Sequence, residues 1–248
     1  MILNIAAYRF VAIDDPADLA ARVREWAEAG ELRGTVLVAE EGINVFLAGD
    51  EVAIERFLDQ LQADPRFAGI EVKRSWSAAQ PFARLKVKRK REIIAFRRDA
   101  ASPLQRRAPA VVPEVLARWI KQGHDDTGRK LVLLDTRNRE EVGYGTFERA
   151  LTLPIDNFVD LPEALAPHRD ALADATIVSF CTGGIRCEKA ALWMVDAGMG
   201  NVLQLEGGIL NYFERVGGQG YAGGCFVFDD RIALDPDLQP LADGETLA

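Results

Sequence analysis

Histidine is almost missing from this chain: His124 and His168 are the only two among 248 residues, and both sit in polar loop or helix-end contexts. That leaves no imidazole cluster for a metal centre. No CxxC pair occurs, so a thiolate zinc site is not expected either. No window approaches 18 uninterrupted apolar residues, which excludes an expected membrane-spanning helix. Residues 1–10 lack the basic start and small-residue cleavage site of an export leader. Cysteine is sparse and odd in number (Cys181, Cys187 and Cys225), a pattern that fits reduced thiols in a cytoplasmic setting rather than a disulfide framework. Internal repeats and low-complexity tracts are missing as well.

What remains is an ordinary globular composition, 48% hydrophobic and 27% charged, at a length that suits one large domain or two of usual size. The net charge of −8 conceals an asymmetry. Residues 66–110 hold 13 Lys/Arg against 3 Asp/Glu, a basic segment on an acidic protein.

The first hundred residues alternate between strand and helix patterns. An apolar, β-rich run covers 3–13. Leu19, Val23, Trp26 and Ala27 then recur at helical spacing from Pro16 to Ala29 and stop at Gly30. Residues 34–38 and 43–47 read as a hairpin, Asp50 as the cap of a second helix, and 70–76 and 87–96 as further strands. The order β-α-β-β-α-β plus one strand is a ferredoxin-like arrangement. Prolines 103, 109 and 113 without apolar periodicity mark 99–113 as a linker. Beyond it, short apolar runs at 131–135, 177–180 and 202–205 alternate with helical stretches, as in a parallel α/β sheet. The expected organisation is an α+β domain over 1–98, the linker, an α/β domain over 114–216 and a tail over 217–248.

Chemistry concentrates at the segment 177–191, a strand, a Gly-containing turn and a helix. Cys181 directly follows the strand. Gly183 and Gly184 let the backbone N–H groups of Thr182, Gly183, Gly184, Ile185 and Arg186 turn inward, and the helix adds the positive end of its dipole. A thiolate in such a nest has a pKa of about 3.5–7.5. Cysteine phosphatases use C-x5-R; here four residues separate Cys181 from Arg186, so the tighter loop suits a smaller group on sulfur. Cys181 is therefore the expected nucleophile.

Five elements together, Leu133–Arg137 with Glu140-Glu141, Gly145-Thr146-Phe147, the loop CTGGIR and Leu205–Ile209, resemble a rhodanese domain over about 111–213. The resemblance implies a sulfur-carrying cysteine at Cys181, with Asp135 and Arg137 as supporting residues. The longer string 181–190, the hairpin Glu40–Asn44 and the tail Gly224–Asp229 resemble more narrowly the oxygen-dependent tRNA uridine hydroxylase family. That likeness implies an acylphosphatase-like first domain and formation of 5-hydroxyuridine at the wobble position. It implies molecular oxygen as co-substrate with no bound cofactor and no metal, and tRNA engaged at its anticodon region. No membrane and no obligate protein partner are implied. Family members that continue into a cysteine-containing tail differ from this chain.

Physical support for RNA lies in Lys86, Lys88, Arg89, Lys90 and Arg91. Strand alternation would place Lys86, Lys88 and Lys90 on one face and Arg89 and Arg91 on the other, with Trp76, Phe82 and Phe96 nearby to stack on bases. A solvated edge strand protected by lysine is the competing account. Cys187, in the first turn after the loop, either resolves a persulfide or sulfenic acid on Cys181 or is a small buried residue facing the sheet, pointed away by the helix. Glu41 and Asn44 either enter the site or serve the turn, and Cys225 reads as structural. The leading alternative to hydroxylation is a persulfide-forming sulfurtransferase, which would leave the basic domain unexplained.

Overall fold

The structure is a computed structural model that describes residues 1–98 and 101–241. The chain divides into two units: Met1–Ala95 with Asp229–Arg231, and Phe96–Phe228 with the residues from Ile232 onward.

In the first unit the elements run β1 (Ile2–Phe10), α1 (Pro16–Ala29), β2 (Arg33–Ala39), β3 (Gly42–Gly49), α2 (Glu51–Gln62), β4 (Val72–Ser77) and β5 (Leu85–Arg89). Pro16 opens α1 where its missing N–H costs nothing, and the Asp50 carboxylate accepts from Val52 N at 3.0 Å to cap α2. The sheet order is β4–β1–β3–β2–β5, antiparallel except for the parallel pair β2–β5. Leu19 and Val23 of α1 and Ile54, Phe57, Leu58 and Leu61 of α2 bury the apolar stripes foreseen from their spacing against Ile5, Val36, Val45 and Leu47.

The strand expected over 87–96 stops at Arg89. Past it, the Ile93 backbone leaves the ladder for side chains: its N–H donates to Glu41 Oε1 at 2.8 Å, and its carbonyl accepts from Asn44 Nδ2 at 3.2 Å. Glu41 and Asn44 thus clamp this segment. The alternation drawn through Lys90 and Arg91 therefore fails. Only Lys86 and Lys88 share a strand face opposite buried Val87, while Arg89, Lys90 and Arg91 are exposed at and beyond the strand end. The aromatic platform is dispersed too. Trp76 lies on β4, at the opposite edge from β5, packed against the core. Phe96 is fully buried in the second unit, stacked on Phe158 with ring centroids 4.5 Å apart.

The second unit contains β6 (Ala110–Val111), α3 (Pro113–Gln122), β7 (Leu131–Asp135), α4 (Arg139–Tyr144), β8 (Gly145–Phe147), α5 (Leu161–Leu165), β9 (Thr176–Phe180), α6 (Ile185–Asp196), β10 (Val202–Leu205) and α7 (Gly208–Val216). After these come β11 (Tyr221–Gly223), β12 (Cys225–Phe226) and β13 (Ala233–Leu234). A parallel sheet of order β6–β10–β9–β7 is flanked by helices. The segment read as linker thus supplies an edge strand, with Gln204 N and Glu206 N donating to Pro109 and Val111 carbonyls. Residues read as tail also carry structure: β11 pairs with β8, β12 with β13, and Asp229–Arg231 belongs to the first unit, where Arg231 Nη1 reaches Ser75 Oγ at 2.7 Å. The core centres on Phe147, edge-on to Phe180, Tyr212 and Tyr221 at 4.8–5.1 Å.

Candidate active site

Strand β9 is buried along its whole length and delivers Cys181 at its carboxyl end, where open α/β sheets bind ligands. Phe180 is fixed just before it: its carbonyl accepts from Thr136 N at 3.0 Å and Thr136 Oγ1 at 2.9 Å. The chain then turns through Thr182, Gly183 and Gly184. Gly184 takes φ +96°, a left-handed value suited to glycine, and serves as the N-cap of α6. Its N–H donates to Cys181 Sγ at 3.1 Å.

A second helix sets the loop from behind. Ile209 N and Leu210 N, in the first turn of α7, donate to the carbonyls of Cys181 and Thr182 at 2.9 and 3.0 Å. The approach is possible because residue 208 is glycine. A Cβ there would lie 2.5 Å from the Cys181 carbonyl oxygen and 2.6 Å from Gly184 N. At Gly183, by contrast, an added Cβ would meet nothing within 4 Å, so the loop's open side is there.

Cys181 is fully buried, which by itself raises a thiol pKa. The opposing forces win. A hydrogen bond from the Cys187 thiol, the Arg186 charge, and the backbone N–H groups of Arg186 and Gly184 hold Cys181 below the ordinary thiol range. Cys187 is fully buried and faces the sheet, its sulfur 3.7 Å from Thr136 Oγ1, one helical turn from the loop that holds Cys181. Burial and the neighbouring Cys181 charge push Cys187 well above the ordinary range, so it stays protonated and donates.

Arg186 and Arg137 are both locked. Arg186 makes a bidentate pair with Glu141, each N···O 2.6 Å, with the Glu141 side chain fully buried. Arg137 pairs with Asp135 at 2.9 and 2.6 Å and donates to the Gly145 carbonyl at 2.7 Å, while Thr146 Oγ1 donates to Asp135 at 2.8 Å. The Asp135–Arg137 pair thus ties the end of β7 to β8, a supporting role. Arg186 lends Cys181 its field, but its carboxylate partner occupies the fork that a phosphate dianion would need.

Sequence reasoning missed Glu141 as part of this site. Besides Arg186, it accepts from Thr182 Oγ1 at 3.3 Å. The local signal was Asn138-x-x-Glu141, a capping box opening α4, in which Asn138 Oδ1 accepts from Glu141 N at 2.9 Å and Glu141 Oε2 from Asn138 N at 3.2 Å. Cys225 is buried beside Thr182, its thiol pushed up to about 12 by burial. The basic residues 86–91 lie in the first unit, where Arg89, Lys90 and Arg91 line a cavity of about 570 Å³ with Pro16 and Glu40. Among the described residues no group of three or more His, Cys, Asp or Glu is disposed to hold a metal ion, and no helix is long and apolar enough to cross a membrane.

Comparison with known proteins adds a family. The UPF0176 acylphosphatase like domain matches residues 2–93 and the Rhodanese-like domain matches residues 113–215. The protein named tRNA uridine(34) hydroxylase from Xanthomonas campestris pv. campestris (strain 8004) is 68% identical over 248 residues, covering 100% of this chain and 98% of that protein. The protein of the same name from Xylella fastidiosa (strain M23) is 60% identical, covering 100% of this chain and 96% of its own length.

Proposed function

Since the chain belongs to the tRNA uridine(34) hydroxylase family, we propose that it hydroxylates uridine 34 of tRNA with molecular oxygen and that Cys181 is its nucleophile. The single observation that carries the role of Cys181 is its sulfur, met by the Gly184 N–H at 3.1 Å at the amino end of α6. That arrangement keeps a thiolate ready in a buried loop.

A uridine must leave the base stack to reach such a loop. The Cys181 thiolate adds to C6 of the extruded ring, which makes C5 electron-rich. Dioxygen adds at C5, and loss of the C5 proton with departure of the thiolate leaves a hydroperoxide there. Such chemistry asks for a nucleophile and a site that excludes water, both of which the loop supplies. It asks for no phosphate-sized cradle, in keeping with the Arg186 fork being taken by Glu141. The exposed Lys86, Lys88, Arg89, Lys90 and Arg91 contact the phosphates of the anticodon region.

The test is nucleoside mass spectrometry on tRNA incubated in air or under argon with the wild type or Cys181→Ser. One added oxygen on uridine, in air and with the wild type alone, is the expected result. Modification by both proteins would remove Cys181 from the reaction. No modification by either, with sulfur transferred from thiosulfate instead, would give the site to sulfurtransfer.

A further inference from the structure

We propose that Cys187 is the resolving thiol of this site: it condenses with a sulfenic acid formed on Cys181, and the two cysteines supply the electrons of the hydroxylation. This rests on the reading of Cys181 as the residue that meets the oxygenated uridine.

Geometry carries the inference. Both sulfurs are fully buried, and Gly184 links the two cysteines: its N–H donates to the Cys181 sulfur at 3.1 Å and its carbonyl accepts from Cys187 N at 3.0 Å. The remaining polar neighbours of Cys187 are the hydroxyls of Thr136, at 3.7 Å, and Ser179. These weak partners hold a thiol in place without competing for it. Both sit on the sheet, Thr136 just past β7 and Ser179 within β9, so Cys187 is pressed against the strand that delivers Cys181. An oxidised Cys181 therefore has beside it a buried thiol of the same loop and helix. Cys225, the third buried cysteine, lies beside Thr182 and the Phe226 carbonyl instead.

The balance closes with these groups alone. Dioxygen and the uridine C5–H give the C5 hydroperoxide. The Cys181 thiolate attacks the outer oxygen, the O–O bond breaks, and 5-hydroxyuridine leaves as its oxyanion beside Cys181 sulfenic acid. The Cys187 sulfur then attacks the Cys181 sulfur; an S–S bond forms, the S–OH bond breaks, and water leaves with the Cys187 proton. One oxygen atom ends on uridine and the other in water, and two thiols have become one disulfide. A reducing thiol reopens it for the next turnover.

The experiment is a single turnover in air without reductant, using full-length protein in excess over tRNA, quenched in denaturant containing dimedone. Cysteines are then mapped by peptide mass spectrometry. For the wild type, one Cys181–Cys187 disulfide is expected per 5-hydroxyuridine. For Cys187→Ser, which keeps a hydroxyl donor in place, the modified uridine should still form while dimedone accumulates on Cys181. Its steady-state rate with a small thiol present should fall by about tenfold or more. Free thiols at both positions beside stoichiometric 5-hydroxyuridine would overturn the proposal, as would a Cys181–Cys225 disulfide. Should Cys187→Ser fail to fold, the wild-type map alone decides. An absence of hydroxylated uridine with the wild type would instead strike the underlying reading, and the proposal with it.

Discussion

Each unit buries an apolar core, but the two differ in the polar side chains they bury with it. In the first, the buried polar side chains are Asn4, Asn44 and Ser77, and its charges lie outside or in partly exposed clusters such as Asp15–Arg66–Asp64. In the second, Asp135, Arg137, Glu141, Arg186, Glu188 and Lys189 are all buried. Apolar burial stabilises at roughly 25 cal/mol per Å² with no desolvation of charge. A buried ion pair does worse, because withdrawing two charges from water costs about what their attraction returns. The first unit is built as a stable platform with a basic edge. The second buries charge, and one of its pairs, Arg186 with Glu141, stands beside Cys181.

The comparison can be broken most sharply at Cys181. Cys181→Ser should lower hydroxylation by at least about 10³-fold in the nucleoside assay, because a nucleophile that works as part of a unit leaves little behind. The melting temperature should stay near that of the wild type.

Next in size are two substitutions of similar cost and different meaning. Phe57→Ala, in the first unit's core, should destabilise by about 3–5 kcal/mol in denaturant titration, while folded protein keeps its rate per site. Glu141→Ala should also cost about 3–5 kcal/mol, since it strands Arg186 without its partner, but activity should fall as well. The double change Glu141→Leu with Arg186→Met should recover most of the stability and none of the activity. Recovery of both would mean that the pair is only a structural tie.

A smaller effect concerns protonation. The thiolate absorbance near 240 nm should rise with pH at a midpoint below the ordinary thiol value of about 8.5, and the rate should be lost as pH falls through it. Cys187→Ala removes a donor to the thiolate and should move that midpoint up. An unchanged midpoint would discard the hydrogen bond as a cause.

The smallest effect belongs to the basic edge. Lys86→Ala with Lys88→Ala should weaken tRNA binding a few-fold and flatten the plot of log affinity against log salt by roughly 0.7–0.9 per lost phosphate contact. Chemistry on bound tRNA should be unaltered.

Local signals were legible. The helical stripes of α1 and α2, the ferredoxin-like order and the loop at Cys181 all follow from neighbours within a few residues of one another. What depended on distant partners was not. Cys187 packs beside Thr136 because of how α6 lies on the sheet, which spacing along the helix does not specify. Glu141 and Arg186 are 45 residues apart in sequence, and only folding makes them a pair. Strand β5 ends early because Glu41 and Asn44 take the Ile93 backbone, a competition no run of apolar residues records. Phe96 left the basic patch for the second unit's core for the same reason: its partner, Phe158, is far along the chain.

The glycine at 208 has a consequence for how this chain can vary. It stands outside the loop motif, yet its backbone sets how wide the loop can open, since a single methyl group there would press on the Cys181 carbonyl oxygen and on Gly184 N together. The outer face of α7 can change without disturbing this contact, because backbone atoms make it. Admitting a bulkier group would take a longer loop and a new seat for it on α7, two changes that are useless singly. The width of the loop is thus set by a residue outside its own motif.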